Sequence, residues 1–228
     1  MFNNFWSRLW KNLSENCGFL GEALGRTLII AFCGFILGLI LATGIALLKT
    51  YHKPKRWLRI INKIIDVFVW VLRGTPMVVL LLLMYFVFLP QLRLPAMFIA
   101  VIAFSLVGGA YMSEILRGAI NSIDKGQHEA GRALGLSNRY IMRKIVLPQA
   151  YKNCVPSLGN ILIMMVKDTS IVSFITIIDL TKAHQLLVTR SYDVIVPYLM
   201  LAAAYLIIVG ILTLLIKFVE RWLEWEKR

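Results

Sequence analysis

The chain has 228 residues, 59% of them hydrophobic and 16% charged, and a formal net charge of +13. With a mean hydropathy of +0.73, it is too apolar for a water-soluble domain of that length. An all-α integral membrane protein is expected, because a helix satisfies its own backbone groups in lipid.

The opening FNNFWSRLWKNL puts Phe5, Trp6, Leu9 and Trp10 on one side of a helix. That suits an amphipathic segment lying in the membrane interface; a frayed polar leader is the other reading. No continuous apolar core precedes Gly21, so no cleavable secretory signal is expected. GEALGRT at 21–27 has only three residues between its glycines, Arg where a phosphate loop has Lys, and no preceding strand. It is rejected as a phosphate loop.

Five apolar stretches follow, near 24–48, 65–89, 96–117, 155–178 and 194–217. Each is close to the ~20 residues that cross a hydrocarbon core about 30 Å thick. Gly34, Gly38 and Ala42 recur every fourth residue in the first, and Gly108, Gly109 and Ala110 cluster in the third. These small residues either let helices approach closely or are generic to membrane helices. LPQLRLP at 89–95 reads as a tight turn, with Pro90 and Pro95 as breakers. Segment 179–193 carries Asp179, Lys182, His184, Arg190 and Asp193 and suits a short surface helix. Cys17, Cys33 and Cys154 are odd in number and lack ligand spacing, so neither a disulfide framework nor a metal site is indicated.

The basic excess is explained by topology. Six Lys/Arg fall in 49–63, seven in 117–152 and four in 217–228, against six in the alternate segments. By the positive-inside rule the amino terminus lies outside and the carboxyl terminus in the cytoplasm, with no nucleic-acid partner.

Charges within the stretches are costly and therefore informative. Asp168 lies about 13 residues into the fourth, roughly 20 Å along a helix and near the bilayer middle. It either receives a substrate ammonium or guanidinium group, as midplane sites of transporters do, or forms a structural ion pair with Arg73 or Lys167. Glu114 falls near the cytoplasmic end of the third stretch, one turn from Arg117, which favours a gate or a structural pair over substrate contact. Thr75 precedes Pro76, where the second stretch should kink. Its hydroxyl and the freed carbonyls either line the pathway or only shape packing.

Between the third and fourth stretches lies the polar segment HEAGRALGLSNRYIMRKIVLPQ, 128–149. Asp124 can cap a helix from about Gly126 to Leu134, and Gly135 supplies the left-handed residue that ends it. Ser137 can cap a second helix that reaches Val146 before Pro148 stops it. Ala130, Ala133, Leu134, Ile141 and Ile145 are available for one apolar side. A mere connection between spans needs no doubly capped hairpin.

Glu129-Ala130-Gly131, three residues, Gly135, nine residues, Ile145, one residue, then Leu147-Pro148 resembles the EAA motif of ABC importer permeases. Gly131 replaces the motif's second Ala. The resemblance implies a single permease domain over 1–228, with 124–148 as a cytoplasmic coupling hairpin seated in an ATP-binding subunit. RGTP at 73–76, AYMSEILRGAINSI at 110–123 and KDTSIVS at 167–173 are similar to signatures of polar amino-acid importers of the histidine, glutamine and arginine type. That similarity implies about five spans per subunit, a second permease copy or paralogue, and an extracytoplasmic amino-acid-binding protein, in a bacterial inner membrane. Candidate substrate contacts are then Asp168, Thr75, Tyr111, Val107, Glu114 and Ser170, with Arg73 as the structural ion-pair candidate. Val107 stands where many relatives have Asn, and Asp124 where they commonly have Pro. No catalytic residue, cofactor or metal is expected in this chain, since ATP and magnesium would sit on the partner.

The expected function is the permease subunit of an ATP-driven importer of polar amino acids, cationic or neutral, working by alternating access. Methionine or a quaternary amine is the alternative cargo, and a membrane scaffold the alternative class. An intramembrane enzyme is disfavoured, because the stretches hold no Ser/Lys, paired-Asp or metal-binding constellation.

Overall fold

The computed structural model describes residues 5–51 and 56–225. Phe2 to Asn4 of the opening motif, Lys53 and Lys55 of the basic loop, and Lys227 and Arg228 of the tail lie outside the described residues.

Helix α1 (Phe5–Tyr51) runs unbroken for 47 residues, about 70 Å at 1.5 Å per residue. The expected interfacial segment is thus not a separate helix but the first turns of α1, since no proline interrupts the ladder. There Trp6 and Trp10 are exposed while Phe5 and Leu9 are half-buried.

The second apolar stretch differs most from expectation. It divides into α2 (Arg56–Gly74) and α3 (Met77–Leu83), which continues as a π-turn, Met84–Phe88. The two halves meet at 110°. Pro76 offers no N–H and disfavours a helical residue before it. The Thr75 hydroxyl donates to the Val71 carbonyl at 2.8 Å, closing off the last turn of α2. The expected kink is an elbow, and no continuous span covers 65–89. Four described helical runs are long and apolar enough to cross a membrane, or five spans if the bent pair counts as one.

After a short 3-10 turn, Pro90–Leu92, the chain enters α4 (Ala96–Asn121). α1 and α4 form the closest seam in the molecule. A Cβ added at Gly38 would lie 2.9 Å from the Ser105 carbonyl and 3.0 Å from the Gly109 nitrogen, so here the two backbones touch. Ala42, Ala46, Ala103 and Phe104 are buried along the same seam. Of the two readings of the small residues, close approach is the one observed.

Hairpin helices α5 (Lys125–Ala133) and α6 (Asn138–Ile141) follow, then a π-turn, Met142–Val146, and α7 (Leu147–Asp168). Pro148 does not stop this helix. The π-turn bonds Leu147 N–H to the Met142 carbonyl, five residues back, and Pro148 takes a first-turn position of α7. There a missing N–H is tolerated.

A 3-10 turn, Thr169–Ile175, leads to α8 (Leu180–Ser191) and α9 (Ile195–Trp225). α8 is not the expected surface helix, because Leu180, Ala183, His184 and Leu187 are buried. Asp179 caps it from a buried position, accepting from the amides of Thr181 at 2.9 Å and Lys182 at 3.0 Å. Arg8 reaches across to Asp193 at 3.0 Å, which fastens the start of α1 to the α8–α9 corner.

Candidate functional site

The elbow turns one face of α2 towards α4. Asp66, Val69, Trp70 and Arg73 recur at the i, i+3, i+4, i+7 spacing of a single helix face. With Gly74 and with Tyr111 and Glu114 of α4 they line a cleft of about 420 Å³. Val69, at the cleft wall, and Leu72 anchor α2, packed with Leu80, Val107 and Ala110.

Glu114 is the hub. Arg117 grips it with two nitrogens, at 2.7 and 3.2 Å, the pairing that one-turn spacing predicts. Lys49 of α1 lies 3.7 Å away and Arg73 of α2 3.8 Å away. Lys49 also pairs with Asp66. The Arg73 guanidinium lies 5.4 Å from the centroid of the Tyr111 ring, and the Tyr111 hydroxyl donates to the Arg73 carbonyl at 3.2 Å. The cleft thus combines cations, carboxylates and an aromatic face.

Of the sequence candidates, Tyr111, Glu114 and Arg73 meet here. Val107 is buried beside the cleft, among the residues that support α2. Thr75 stands at the elbow, next to Gly74. Ser170 lies in the 3-10 turn that follows α7, and Asp168 is half-buried at the end of α7. Neither is among the cleft residues named above. The proposed Arg73–Asp168 ion pair is not formed, because the elbow aims Arg73 at α4, where Glu114 takes it. Nor does Lys167 pair with Asp168 within 4.0 Å among the described residues. Sequence reasoning missed Lys49, Asp66 and Trp70. The spacing from Asp66 to Arg73 carried the signal for two of them, but a kink was expected at Pro76 without the sharp elbow that turns this face towards α4. Lys49 was counted only as a topogenic charge.

The hairpin is built almost wholly by local bonds. Asp124 Oδ1 accepts from Gly126 N–H at 2.9 Å, and Ser137 Oγ from Tyr140 N–H at 3.3 Å. Gly135 has φ +73°. Gly135 N–H donates to Arg132 and Leu136 N–H to Gly131, both at 3.0 Å, a complete Schellman stop. The expected apolar side is not assembled as drawn. Gly131 and Ile141 are buried and Ile145 is half-buried, but Ala130, Ala133 and Leu134 face outward, Leu134 at 78% exposure. A Cβ on Gly131 would sit 2.7 Å from Ile141 Cγ1, so the glycine that departs from the motif lets Ile141 close over α5. Glu129 and Pro148 are exposed, and Leu147 is half-buried.

Residues 34–225 match the family of binding-protein-dependent transport system inner membrane components. The chain is 39% identical to the arginine transport system permease protein of Bacillus subtilis, over 90% of this chain and 93% of that one. It is 35% identical to the glutamine transport system permease protein of Escherichia coli, over 95% and 96%. Among solved structures, an amino acid ABC transporter with histidines superposes with a TM-score of 0.83 at 33% identity, covering 93% of this chain and 97% of that chain. The long apolar helices, the capped hairpin and these likenesses agree: the chain belongs to the binding-protein-dependent transport family, as the multi-pass permease subunit of an amino-acid ABC importer whose ATP hydrolysis takes place on a separate subunit.

Proposed function

We propose that the cleft between α2 and α4 holds a polar amino acid during transport, and that the hairpin relays the work of the ATP-binding subunit to it. The observation that carries this reading is the cleft's composition. Arg73 is a bidentate donor for a carboxylate, Glu114 and Asp66 can attract an ammonium group, and Tyr111 offers a ring face, all within one cavity. An α-amino acid presents the complementary pair of charges.

The hairpin end faces the cytoplasm of a bacterial cell, in keeping with its Lys/Arg excess; the amino terminus lies outside. The outward Glu129, Ala130, Ala133 and Leu134 meet the ATP-binding subunit, which carries ATP and magnesium, while this chain carries no cofactor. Gly131, Gly135, Ile145, Leu147 and Pro148 hold that surface in shape. A second permease copy or paralogue completes the pathway, and an extracytoplasmic amino-acid-binding protein delivers substrate. α4 connects the sites directly, since Glu114 and Arg117 lie within one helix that ends three residues before α5 begins. A tilt of the hairpin moves the base of α4 and strains the ion pairs to α1 and α2, which alternately closes and opens the cleft.

Asp168, Thr75 and Ser170 contact the substrate elsewhere along its path, and Val107 acts through its support of α2. The test is uptake and substrate-stimulated ATP hydrolysis by the reconstituted transporter. Arg73→Gln should weaken substrate affinity in an assembled complex, and Asp168→Asn should do so to a smaller degree. Unchanged kinetics in Arg73→Gln would remove the cleft from the pathway, and unchanged kinetics in Asp168→Asn would remove that residue alone.

A further inference from the structure

Helix α2 carries a face that the rest of the chain leaves bare. Leu58, Val69 and Leu72 are buried, the last two against α3 and α4. A second apolar side, Trp57, Ile60, Ile64, Phe68 and Val71, recurs every third or fourth residue. It is exposed along its whole length, Trp57 at 59% and Ile64 at 63%. Next to that stripe stand Arg59 and Lys63, both exposed and without an ion pair within 4.0 Å among the described residues. Asp66 is taken by Lys49, and Arg73 by Glu114. Positions 49–63 hold six Lys/Arg and no Asp or Glu.

The start of α2 lies at the hairpin end of the bundle. α1 ends at Tyr51 and α2 begins at Arg56. Lys49 reaches both Asp66 and Glu114, in the last turns of α4 before the hairpin departs. The 110° elbow sets α2 across α3 rather than in line with it. A bare apolar stripe with a tryptophan at its start and unpaired cations beside it is the pattern of a helix at a bilayer surface. Its apolar side enters the acyl boundary while its cations stay among the headgroups. A second copy of this chain fits the face less well. Two copies meeting there about a twofold axis would bring Arg59 and Lys63 of each against those of the other, with no free carboxylate to offset them. Anionic lipid headgroups supply the missing negative charge.

We propose that the start of α2 is an anionic-lipid site. Arg59 and Lys63 bind negatively charged headgroups of the leaflet on the hairpin side, and Trp57, Ile60 and Ile64 bury in its acyl boundary. Leaflet charge thereby holds α2 in place from the side that protein leaves open.

The experiment uses the assembled permease–ATP-binding complex in nanodiscs of phosphatidylcholine and phosphatidylglycerol in equal parts. Ile60→Cys carries a bimane label, with Cys17→Ser and Cys33→Ala removing the exposed thiols and Cys154 left buried. A spin label is placed on one lipid or the other. Spin-labelled phosphatidylglycerol should quench the bimane severalfold more than spin-labelled phosphatidylcholine, and the ratio should shrink as salt is raised. Arg59→Gln with Lys63→Gln should bring the ratio close to one, whereas Arg59→Lys with Lys63→Arg should keep it. A second measurement needs no label. The thermal midpoint of the wild-type complex should be higher in mixed discs than in phosphatidylcholine alone, and the glutamine pair should narrow that gap. Equal quenching by the two lipids overturns the proposal, as does a ratio or a midpoint gap that the glutamine pair leaves unchanged. Quenching by neither lipid also overturns it, and would give the stripe to a protein partner such as a second copy.

Discussion

The hairpin follows directly on α4, which forms one wall of the cleft, yet the two are built by opposite means. In the hairpin almost every bond joins residues within five positions of one another: two side-chain caps, a left-handed glycine and a Schellman pair. In the cleft the decisive pairs bridge α1, α2 and α4, from Lys49 to Glu114. A locally wired unit keeps its shape while it is pushed, as a coupling element must. A site held by ion pairs between helices changes whenever those helices shift, which suits alternating access. Under the function proposed above, the difference gives rigidity to the part that would transmit and adaptability to the part that would bind.

Glu114→Gln offers the largest way to test this contrast. Removing the hub carboxylate leaves Lys49, Arg73 and Arg117 facing one another, and should cost about 2–3 kcal/mol of complex stability, more than a surface pair because Lys49 is covered and less than a buried one because both arginines are partly exposed. The check is detergent stability of the purified complex. Lys49→Met added to Glu114→Gln should recover part of the loss; no recovery would mean that the cluster is not electrostatically coupled.

Gly131→Val comes next, at about 2 kcal/mol, because the new side chain overlaps Ile141. The damage should stay local. Substrate binding should persist while ATP-driven uptake falls, and Ile141→Ala in the same chain should restore part of the uptake. Loss of substrate binding in Gly131→Val would break the separation between the two regions.

At Gly135 the φ of +73° makes a β-branched side chain unfavourable by on the order of 1–2 kcal/mol. Gly135→Val should therefore reach the membrane and misdirect α6, uncoupling hydrolysis from uptake. Normal uptake with the ATP-binding subunit attached would contradict the coupling role.

The smallest effect belongs to α8, which is capped locally like the hairpin yet buries one face. Burial lowers the pKa of His184 from its ordinary 6.5, against a hydrogen bond to the Leu180 carbonyl and the nearby Asp179 that raise it. With the folded value depressed, the unfolded chain binds the extra proton first. Stability from this group is full above pH 6.5 and is lost as pH falls below it. The wild type should therefore lose stability as the pH falls below 6.5. A thermal midpoint measured at pH 7.5 and 5.5 should fall in the wild type and fall less in His184→Gln. An equal fall in both would place the pH sensitivity elsewhere.

The amino-acid sequence by itself determined the hairpin's caps and its stop at Gly135, though not the stop expected at Pro148. Asp124, Gly135 and Ser137 act on amides and dihedrals within a few residues, so their effect is independent of the rest of the fold. It also marked a face of small residues on the first stretch, but that this face is a helix–helix seam was decided by packing. Only the tertiary structure decided the cleft. Pro76 announced a break, but its angle of 110° depends on how Val69 and Leu72 seat against α4. With that angle unknown, Arg73 was as available to Asp168 as to Glu114, and Lys49 had no visible partner. Ion pairs between distant segments leave no periodicity in a sequence, since the charges meet only when the helices that carry them have packed.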